Sequence, residues 1–221
     1  MEGLEEALED VLPADLPRRA DFVAGAAGHA ERVLAANESL NLTRITGARD
    51  VAVKHVLDCV APWRRLAQLA TVGSAPEWAD LGSGAGYPGI LLALLLPRVR
   101  IRLVESTQKK AQFLAQVVRE LRLPNALVTA QRAEELISRT RFDVVTARAV
   151  GSVRDLLRLL KGVRANWGRL VLYKGPGVDA EIAQAAKDAE KQSLEAAVTA
   201  RYELPGSVGS RCLLEYAPAS G

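Results

Sequence analysis

Hydrophobic and polar positions follow two different periods in the two parts of the chain. In residues 1–70 the apolar side chains recur at helical spacing: Leu4, Leu8 and Leu12 are four residues apart, and the alanine-rich stretch 22–37 has apolar residues on one face. Residues 50–69 predict one or two further helices, broken near Pro62. We expect residues 1–72 to form a helical extension packed on a core of residues 73–221.

From residue 77 onward, short apolar runs alternate with amphipathic stretches. This rhythm predicts strands at 77–79, 101–105, 126–130, 142–147, 169–173, 198–204 and 211–216, and helices at 90–96, 107–122, 179–197 and from 131 onward. Strands that alternate with helices form a parallel sheet, and the final hairpin adds an antiparallel edge. The predicted fold class is therefore α/β, with a Rossmann-like, seven-stranded and mostly parallel sheet.

Composition narrows the class of protein. The 221 residues, 49% of them hydrophobic, are enough for one α/β core with a small extension. No apolar stretch has the length of a membrane span, and the acidic first residues lack the basic start of a signal peptide. Only Cys59 and Cys212 occur, so the sequence indicates neither a disulfide framework nor a metal site. We expect a cytoplasmic monomer without membrane or metal partners.

Positive charge is concentrated in the middle of the chain. Residues 98–174 contain 17 Lys and Arg against 6 Asp and Glu, whereas residues 1–75 contain 8 against 11 and residues 175–221 contain 4 against 7. Scattered surface arginines account for part of this surplus. Its concentration around the core favours an anionic polymer as the partner.

A glycine-rich segment, Asp80–Gly89, joins the first predicted strand to an apolar helix. A strand, a glycine turn and a helix N-terminus together let a ligand approach bare backbone. Gly82, Gly84 and Gly86 have G-x-G-x-G spacing, whereas dinucleotide sites have G-x-G-x-x-G. The carboxylate of Asp80 beside the turn would repel a pyrophosphate, and it suits a ligand that carries positive charge.

A second carboxylate, Glu105, ends the next predicted strand at the position where such folds bind a ribose diol. Together with Asp80 and the glycine loop it predicts a site for S-adenosylmethionine, whose sulfonium and ammonium groups are positive. A glycine-rich turn without a ligand is the alternative. With this site, the predicted fold is that of a class I S-adenosylmethionine-dependent methyltransferase.

The residues that follow each strand are the site candidates, because ligands of parallel sheets bind beyond the carboxyl ends of the strands. Besides Glu105 they are Ser106 and Thr107 after strand two, Arg132, Ala133 and Glu134 after strand three, Arg148 after strand four and Lys174 after strand five. We predict catalytic roles for Arg148, Arg132 and Lys174, with Arg148 at the cleft floor. A helix first-turn acid at Glu134 and an exposed side chain at Lys174 are the alternatives.

The sequence lacks the marks of two other kinds of base methylation. Residues 147–150 do not form the [DNS]-P-P-[YFW] loop of amino-group methyltransferases, and neither cysteine lies where a pyrimidine C5 methyltransferase needs its thiolate. An acceptor atom that is already nucleophilic, such as guanine N7, remains. Its methylation depends chiefly on the positioning of acceptor and methyl group.

Five segments together resemble the bacterial GidB/RsmG family. They are Asn41–Thr46, Lys54–Cys59, Asp80–Gly89, Arg132–Glu134 and Thr146–Val150. Members of this family methylate guanine N7 in small-subunit (16S) ribosomal RNA. The resemblance therefore implies this activity, S-adenosylmethionine as cofactor, and small-subunit ribosomal RNA or the assembled small subunit as partner.

The resemblance also implies which residues contact the cofactor. They are Gly82, Tyr87, Glu105, Ser106, Thr107, Ala133, Glu134 and Arg148, to which the glycine loop adds Asp80 and Gly84. Tyr87, Glu105 and Cys59 stand where other residues are more usual in the family. His55 and Asp58 lack the further ligands of a metal site. We expect this pair to join the N-terminal helices to the cleft, and contact with the target nucleotide is the alternative.

Two other functions remain open on the sequence. A small-molecule methyltransferase is favoured if the basic residues are spread over both faces of the core instead of clustering at the cleft mouth. A non-catalytic RNA-binding assembly factor with a vestigial cofactor pocket is the second, and the presence of Asp80, Glu105 and Arg148 argues against it.

Overall fold

The computed structural model describes residues 3–71 and 75–219. Within these ranges the strands are β1 (Glu77–Leu81), β2 (Arg100–Val104), β3 (Ala126–Thr129), β4 (Phe142–Arg148), β5 (Trp167–Lys174), β6 (Leu194–Leu204) and β7 (Gly209–Pro218). They form one sheet in the order β3-β2-β1-β4-β5-β7-β6, in which β1 to β5 are parallel and β7 is antiparallel to both of its neighbours. The predicted seven-stranded, mostly parallel sheet is confirmed.

Helices fill the N-terminal region and the connections between the strands. They are α1 (Leu4–Val11), α2 (Arg19–Leu40), α3 (Ala48–Val51), α4 (Asp58–Val60), α5 (Trp63–Leu69), α6 (Gly89–Leu95), α7 (Gln108–Glu120), α8 (Ala133–Ile137), α9 (Val153–Leu160) and α10 (Val178–Glu190). A π-helical turn, Ala52–Leu57, joins α3 to α4, and a 3-10 segment, Lys161–Asn166, follows α9. The predicted break near Pro62 separates α4 from α5.

Each face of the sheet has its own apolar core, because successive residues of a strand point to opposite faces. Trp78 of β1 packs in a cluster with the N-terminal helices, α6 and α7. Its neighbour Ala79 belongs to the other cluster, which α8, α9 and α10 complete. The helices before β1 therefore share one core with the sheet.

Two helical regions differ from the prediction. The helix predicted over 179–197 ends at Glu190, because Ser193 takes a left-handed φ of 52° and Leu194 begins β6. Alanine favours helix in this stretch, and pairing with β7 overrides that preference. Helix α9 was not predicted, although Ser152 and Asp155 form a capping box directly before its apolar run.

Candidate active site

The loops after β1 and β2 are joined by Glu105. One carboxylate oxygen accepts from the amide of Gly84 (3.0 Å) and the other from the amide of Thr107 (2.7 Å). The side chain is buried at the carboxyl edge of the sheet, which is the edge where the parallel strands end. Glu105 thus lies where the sequence placed it, and it holds the glycine loop against the next strand.

The Asp80 carboxylate is buried and hydrogen-bonded within the protein. Only 1% of the residue is exposed, and its two oxygens accept from the Gly89 amide (3.2 Å) and the Thr146 hydroxyl (3.0 Å). Burial raises the pKa of this carboxyl to about 6, against the opposing effect of its hydrogen bonds. The expectation that this carboxylate meets a cationic ligand does not fit the geometry, because the group points into the interior and fixes the start of α6.

The glycine loop needs glycine at both ends. Gly82 and Gly86 have φ values of 62° and 96°, in the left-handed region that other residues rarely adopt. A Cβ on Gly82 would lie 2.8 Å from the Val150 side chain, and one on Gly86 would lie 2.8 Å from Nε2 of His29. Gly82 itself is exposed at the carboxyl edge, so the backbone there is open to a ligand.

Tyr87 is buried between two histidines. Its ring stacks on His55 at 4.6 Å between centroids and contacts His29 at 4.5 Å, and His29 also bonds the Ala85 carbonyl at 2.7 Å. Burial lowers the pKa of each histidine to about 4, so both are neutral near pH 7. The predicted cofactor residue Tyr87 is thus a support beneath the loop. His29 was not predicted, because a single histidine in an alanine-rich helix carries no signal.

The remaining cofactor candidates lie at the same edge of the sheet. Ser106 and Thr107 are exposed after β2, and Ala133 and Glu134 are half-buried at the start of α8, after β3. Strand β3 lies beside β2 with Val104 opposite Thr129, which brings these two groups near one another. Arg132 precedes α8 and is exposed.

Arg148 is held in place by the N-terminal region. Its Nε donates to the carboxylate of Asp58 at 3.0 Å, and an Nη donates to the carbonyl of Lys54 at 2.6 Å. Its side chain is only 17% exposed. Tyr202 of β6 also donates to the Asp58 carbonyl at 2.8 Å, and Arg211 of β7 lies 3.7 Å from the carboxylate. Three distant parts of the chain therefore meet at Asp58.

His55 and Asp58 bind different partners. His55 bonds the hydroxyl of Thr43 at 2.7 Å and stacks on Tyr87, whereas Asp58 turns to Arg148. Each residue nevertheless links the N-terminal helices to the strand ends. The two cysteines are buried, and burial raises the pKa of Cys59 to about 12, which makes it a poor nucleophile.

Lys174 lies at the end of β5 but its ammonium group is engaged. It contacts the Glu181 carboxylate at 2.8 Å and the Gly151 carbonyl at 3.3 Å, with 11% of the side chain exposed. Glu181 also accepts from the amide of Val153 at 3.0 Å. The geometry therefore assigns Lys174 to the junction of β5, α9 and α10, and it supports neither the predicted catalytic role nor the alternative of a freely exposed side chain.

The sheet order, the glycine loop after β1 and the acid after β2 define a class I methyltransferase. Among solved structures, the precorrin-6y C5,15-methyltransferase of Geobacter metallireducens GS-15 superposes with a TM-score of 0.51 at 16% identity, over 70% of this chain and 86% of that one. A mutant of MtNAS in complex with S-adenosylmethionine superposes with a TM-score of 0.57 at 16% identity, over 97% of this chain and 88% of that one. These likenesses support the fold alone.

The chain belongs to the GidB family, described as rRNA small subunit methyltransferase G, whose sequence profile matches residues 24–204. A relative from Solibacter usitatus (strain Ellin6076), named "Ribosomal RNA small subunit methyltransferase G", is 44% identical over 210 residues, which are 95% of this chain and 97% of the relative. The predicted family and the predicted class, an S-adenosylmethionine-dependent methyltransferase, are thereby confirmed.

Proposed function

We propose that the protein transfers a methyl group from S-adenosylmethionine to N7 of a guanine in 16S ribosomal RNA, either free or within the small subunit. The observation that carries this proposal is the 44% identity, over nearly the full length of both chains, to a relative named for this ribosomal RNA. The glycine loop and Glu105 at the carboxyl edge agree with it.

The residues at the carboxyl edge fit S-adenosylmethionine. When bound, this cofactor supplies an electrophilic methyl group. Glu105 would hold the ribose hydroxyls, since its carboxylate can accept two further hydrogen bonds beside those from Gly84 and Thr107. Glu134 is half-buried and forms no ion pair within the described residues. Its carboxylate is therefore available to the adenine base or to the amino group of S-adenosylmethionine. The exposed backbone at Gly82 leaves room for close approach.

Transfer to guanine N7 would need no general base, because N7 carries a lone pair and loses no proton. Several ionisable groups near the site are committed elsewhere: Asp80 is buried and hydrogen-bonded, His29 and His55 are neutral and pack on Tyr87, and Lys174 is ion-paired. Catalysis would then consist of positioning the guanine against the methyl group. Arg148 and Arg132 would bind the RNA for this purpose.

Basic residues of 98–174 lie at both ends of the parallel strands and are not confined to the cleft mouth. Arg132 lies at the carboxyl edge, while Arg141 precedes the first residue of β4 at the opposite one. Membership of a family named for ribosomal RNA outweighs this pattern, because a large folded RNA can contact both edges.

The proposal is tested by methyl transfer from radiolabelled S-adenosylmethionine to 16S RNA and to small subunits isolated from cells that lack the enzyme. We expect label at a single guanine, with cleavage chemistry specific for N7-methylguanine at that position. Glu105→Ala should abolish transfer, and Glu195→Ala, on the exposed face of β6, should retain it. Absence of transfer to both RNA substrates, or label at another atom, would refute the proposal.

A further inference from the structure

All four cations of α9 and β5 form ion pairs with acids. Arg154 and Arg158 both contact Asp188, at 3.2 and 3.3 Å, and Arg169 contacts the buried Glu215 at 2.9 Å. Among the cations without an ion pair inside residues 3–71 and 75–219, four lie close to these elements. They are Arg139, Arg141, Lys161 and Arg164, and together they are called the amino-edge cluster.

The members of this cluster lie at the edge where the parallel strands begin. Arg141 directly precedes β4 and Arg164 lies three residues before β5, and the first residues of these strands, Phe142 and Trp167, are register partners. Asn166 donates to the carbonyls of Ile137 (2.8 Å) and Ser138 (3.2 Å), which fixes the Lys161–Asn166 segment beside the turn that carries Arg139. The four cations are thus brought together by the backbone.

Arg164 is pre-organised for an anion. Its guanidinium stacks over the Trp167 ring at 4.2 Å and donates one hydrogen bond, of 2.7 Å, to the Trp167 carbonyl. Burial holds its pKa below the usual value, and the like charge of Arg141 lowers it further. Like charges that face one another without a carboxylate cost stability. An anionic partner would offset that cost, and planar guanidinium groups suit phosphate.

We propose that the amino-edge cluster binds the phosphate backbone of the RNA substrate at a point remote from the methylated base. The inference rests on the proposed function, because it takes ribosomal RNA as the partner. Strand β4 has seven residues, so at roughly 3.3 Å per residue the cluster lies about 20 Å from the carboxyl edge. A single nucleotide cannot reach both places, so the second contact requires a long or folded RNA.

Binding of RNA to charge-matched variants tests the inference. The pair Arg141→Gln/Lys161→Gln removes two cluster cations, and Lys187→Gln/Lys191→Gln removes two exposed cations at the end of α10. We expect the first pair to weaken binding of full-length 16S RNA roughly tenfold at physiological salt and to reduce the salt slope by about one to two, because phosphate contacts release counterions. The control pair should change binding less than twofold.

A short RNA that contains only the target guanine and its flanks provides the internal check. Its affinity should be the same for the parent protein and for both variant pairs, since it does not span about 20 Å to the cluster. Melting temperatures within 2 °C or so of the parent would show that the variants are folded. If the first pair fails to fold, the exposed Lys161→Gln change alone replaces it.

The outcomes separate the inference from the proposed function. Equal binding of full-length RNA by the two variant pairs overturns the inference even if methyl transfer proceeds. A parent protein that methylates no ribosomal RNA overturns the proposed function, yet the inference would stand if RNA binding still depended on the cluster. If Arg141→Gln/Lys161→Gln raises the KM for full-length RNA and leaves the turnover number unchanged, both the inference and the proposed function are supported.

Discussion

Arg148 combines a functional position with a structural duty. It lies at the end of β4 beside the glycine loop, and its guanidinium is bonded to Asp58 and to the Lys54 carbonyl. Lys54 lies in the π-helical turn, where the backbone hydrogen bonds have a wider spacing than in an α-helix. The carbonyl of Lys54 accepts a hydrogen bond from the Arg148 guanidinium. Removal of Arg148 therefore disturbs the fold as well as the site.

Arg148→Ala should lower the free energy of unfolding by about 3 kcal/mol, since it takes the nearer cation from the buried Asp58 carboxylate and leaves only Arg211, at 3.7 Å. Arg148→Lys should recover only part of the activity, because a point charge cannot reproduce the fork of the guanidinium. Chemical denaturation and methyl-transfer assays measure the two effects.

A double replacement distinguishes structure from catalysis at this position. Arg148→Met with Asp58→Leu removes both charges, and it should recover most of the lost stability. If Arg148 also contacts cofactor or RNA, the double variant stays inactive while folded. Recovery of full activity would show that Arg148 is structural only.

The two histidines beneath the loop predict a loss of stability in acid. Their pKa values are about 4 in the folded protein and 6.5 when unfolded, so below pH 6.5 the unfolded chain binds two protons that the folded chain does not. Asp80, with a folded pKa of about 6 and an unfolded value of 3.8, offsets part of this effect. We expect a net loss of roughly 2 kcal/mol between pH 7 and pH 5.

Denaturation at several pH values tests this expectation. His55→Gln keeps a hydrogen-bonding group for the Thr43 hydroxyl and removes one titrating group, so its stability should fall less steeply with acid than that of the parent. A profile identical to the parent's would mean that His55 does not contribute to the acid sensitivity.

Among the elements, α9, α10 and β5 are joined by a single carboxylate. Glu181 receives hydrogen bonds from Lys174 of β5 and from the amide of Val153 at the start of α9. Glu181→Gln should reduce stability by about 1–3 kcal/mol, because it leaves the Lys174 ammonium without its charged partner.

Lys174→Met provides the complementary test at the scale of elements. We expect a lower melting temperature with a turnover number within about twofold of the parent, in keeping with a junction role. A large drop in turnover without a change in melting temperature would restore the catalytic role that the sequence predicted for Lys174.

The positions of the seven strands and of the glycine loop could be predicted because hydrophobic periodicity and glycine spacing are local signals. The position of Glu105 followed from the rule that ligands bind beyond parallel strand ends. Contacts such as Arg148 with Asp58, 90 residues apart, leave no local signal, since either residue alone resembles a surface charge. The predicted end of α10, at residue 197, was wrong for a similar reason. Residues from Leu194 onward form β6 because they pair with β7, which is distant in the sequence from α10.

At the scale of the whole molecule, no helix within residues 3–71 and 75–219 combines the length and apolar character that a bilayer span requires. The parent protein should bind S-adenosylmethionine or its demethylated product, and either should raise the melting temperature, whereas NAD and ATP should not. Glu105→Ala should remove the effect. Stabilisation by NAD alone would contradict the assignment of the loop.

Charge reversal at Arg132 should weaken RNA binding more than reversal at Lys187, because Arg132 is exposed beside the carboxyl edge and Lys187 lies on α10. Filter binding at a series of salt concentrations measures both variants. Equal effects at the two positions would mean that the carboxyl edge is not an RNA-binding face.

The meeting of chain segments at Asp58 has a consequence for synthesis on the ribosome. The carboxylate emerges early, yet its partners Arg148, Tyr202 and Arg211 follow 90, 144 and 153 residues later. While the chain grows, the N-terminal helices can bury their apolar side chains, but this acid stays unpaired and solvated. The contacts at Asp58 are therefore complete only after the β6–β7 hairpin has been synthesised.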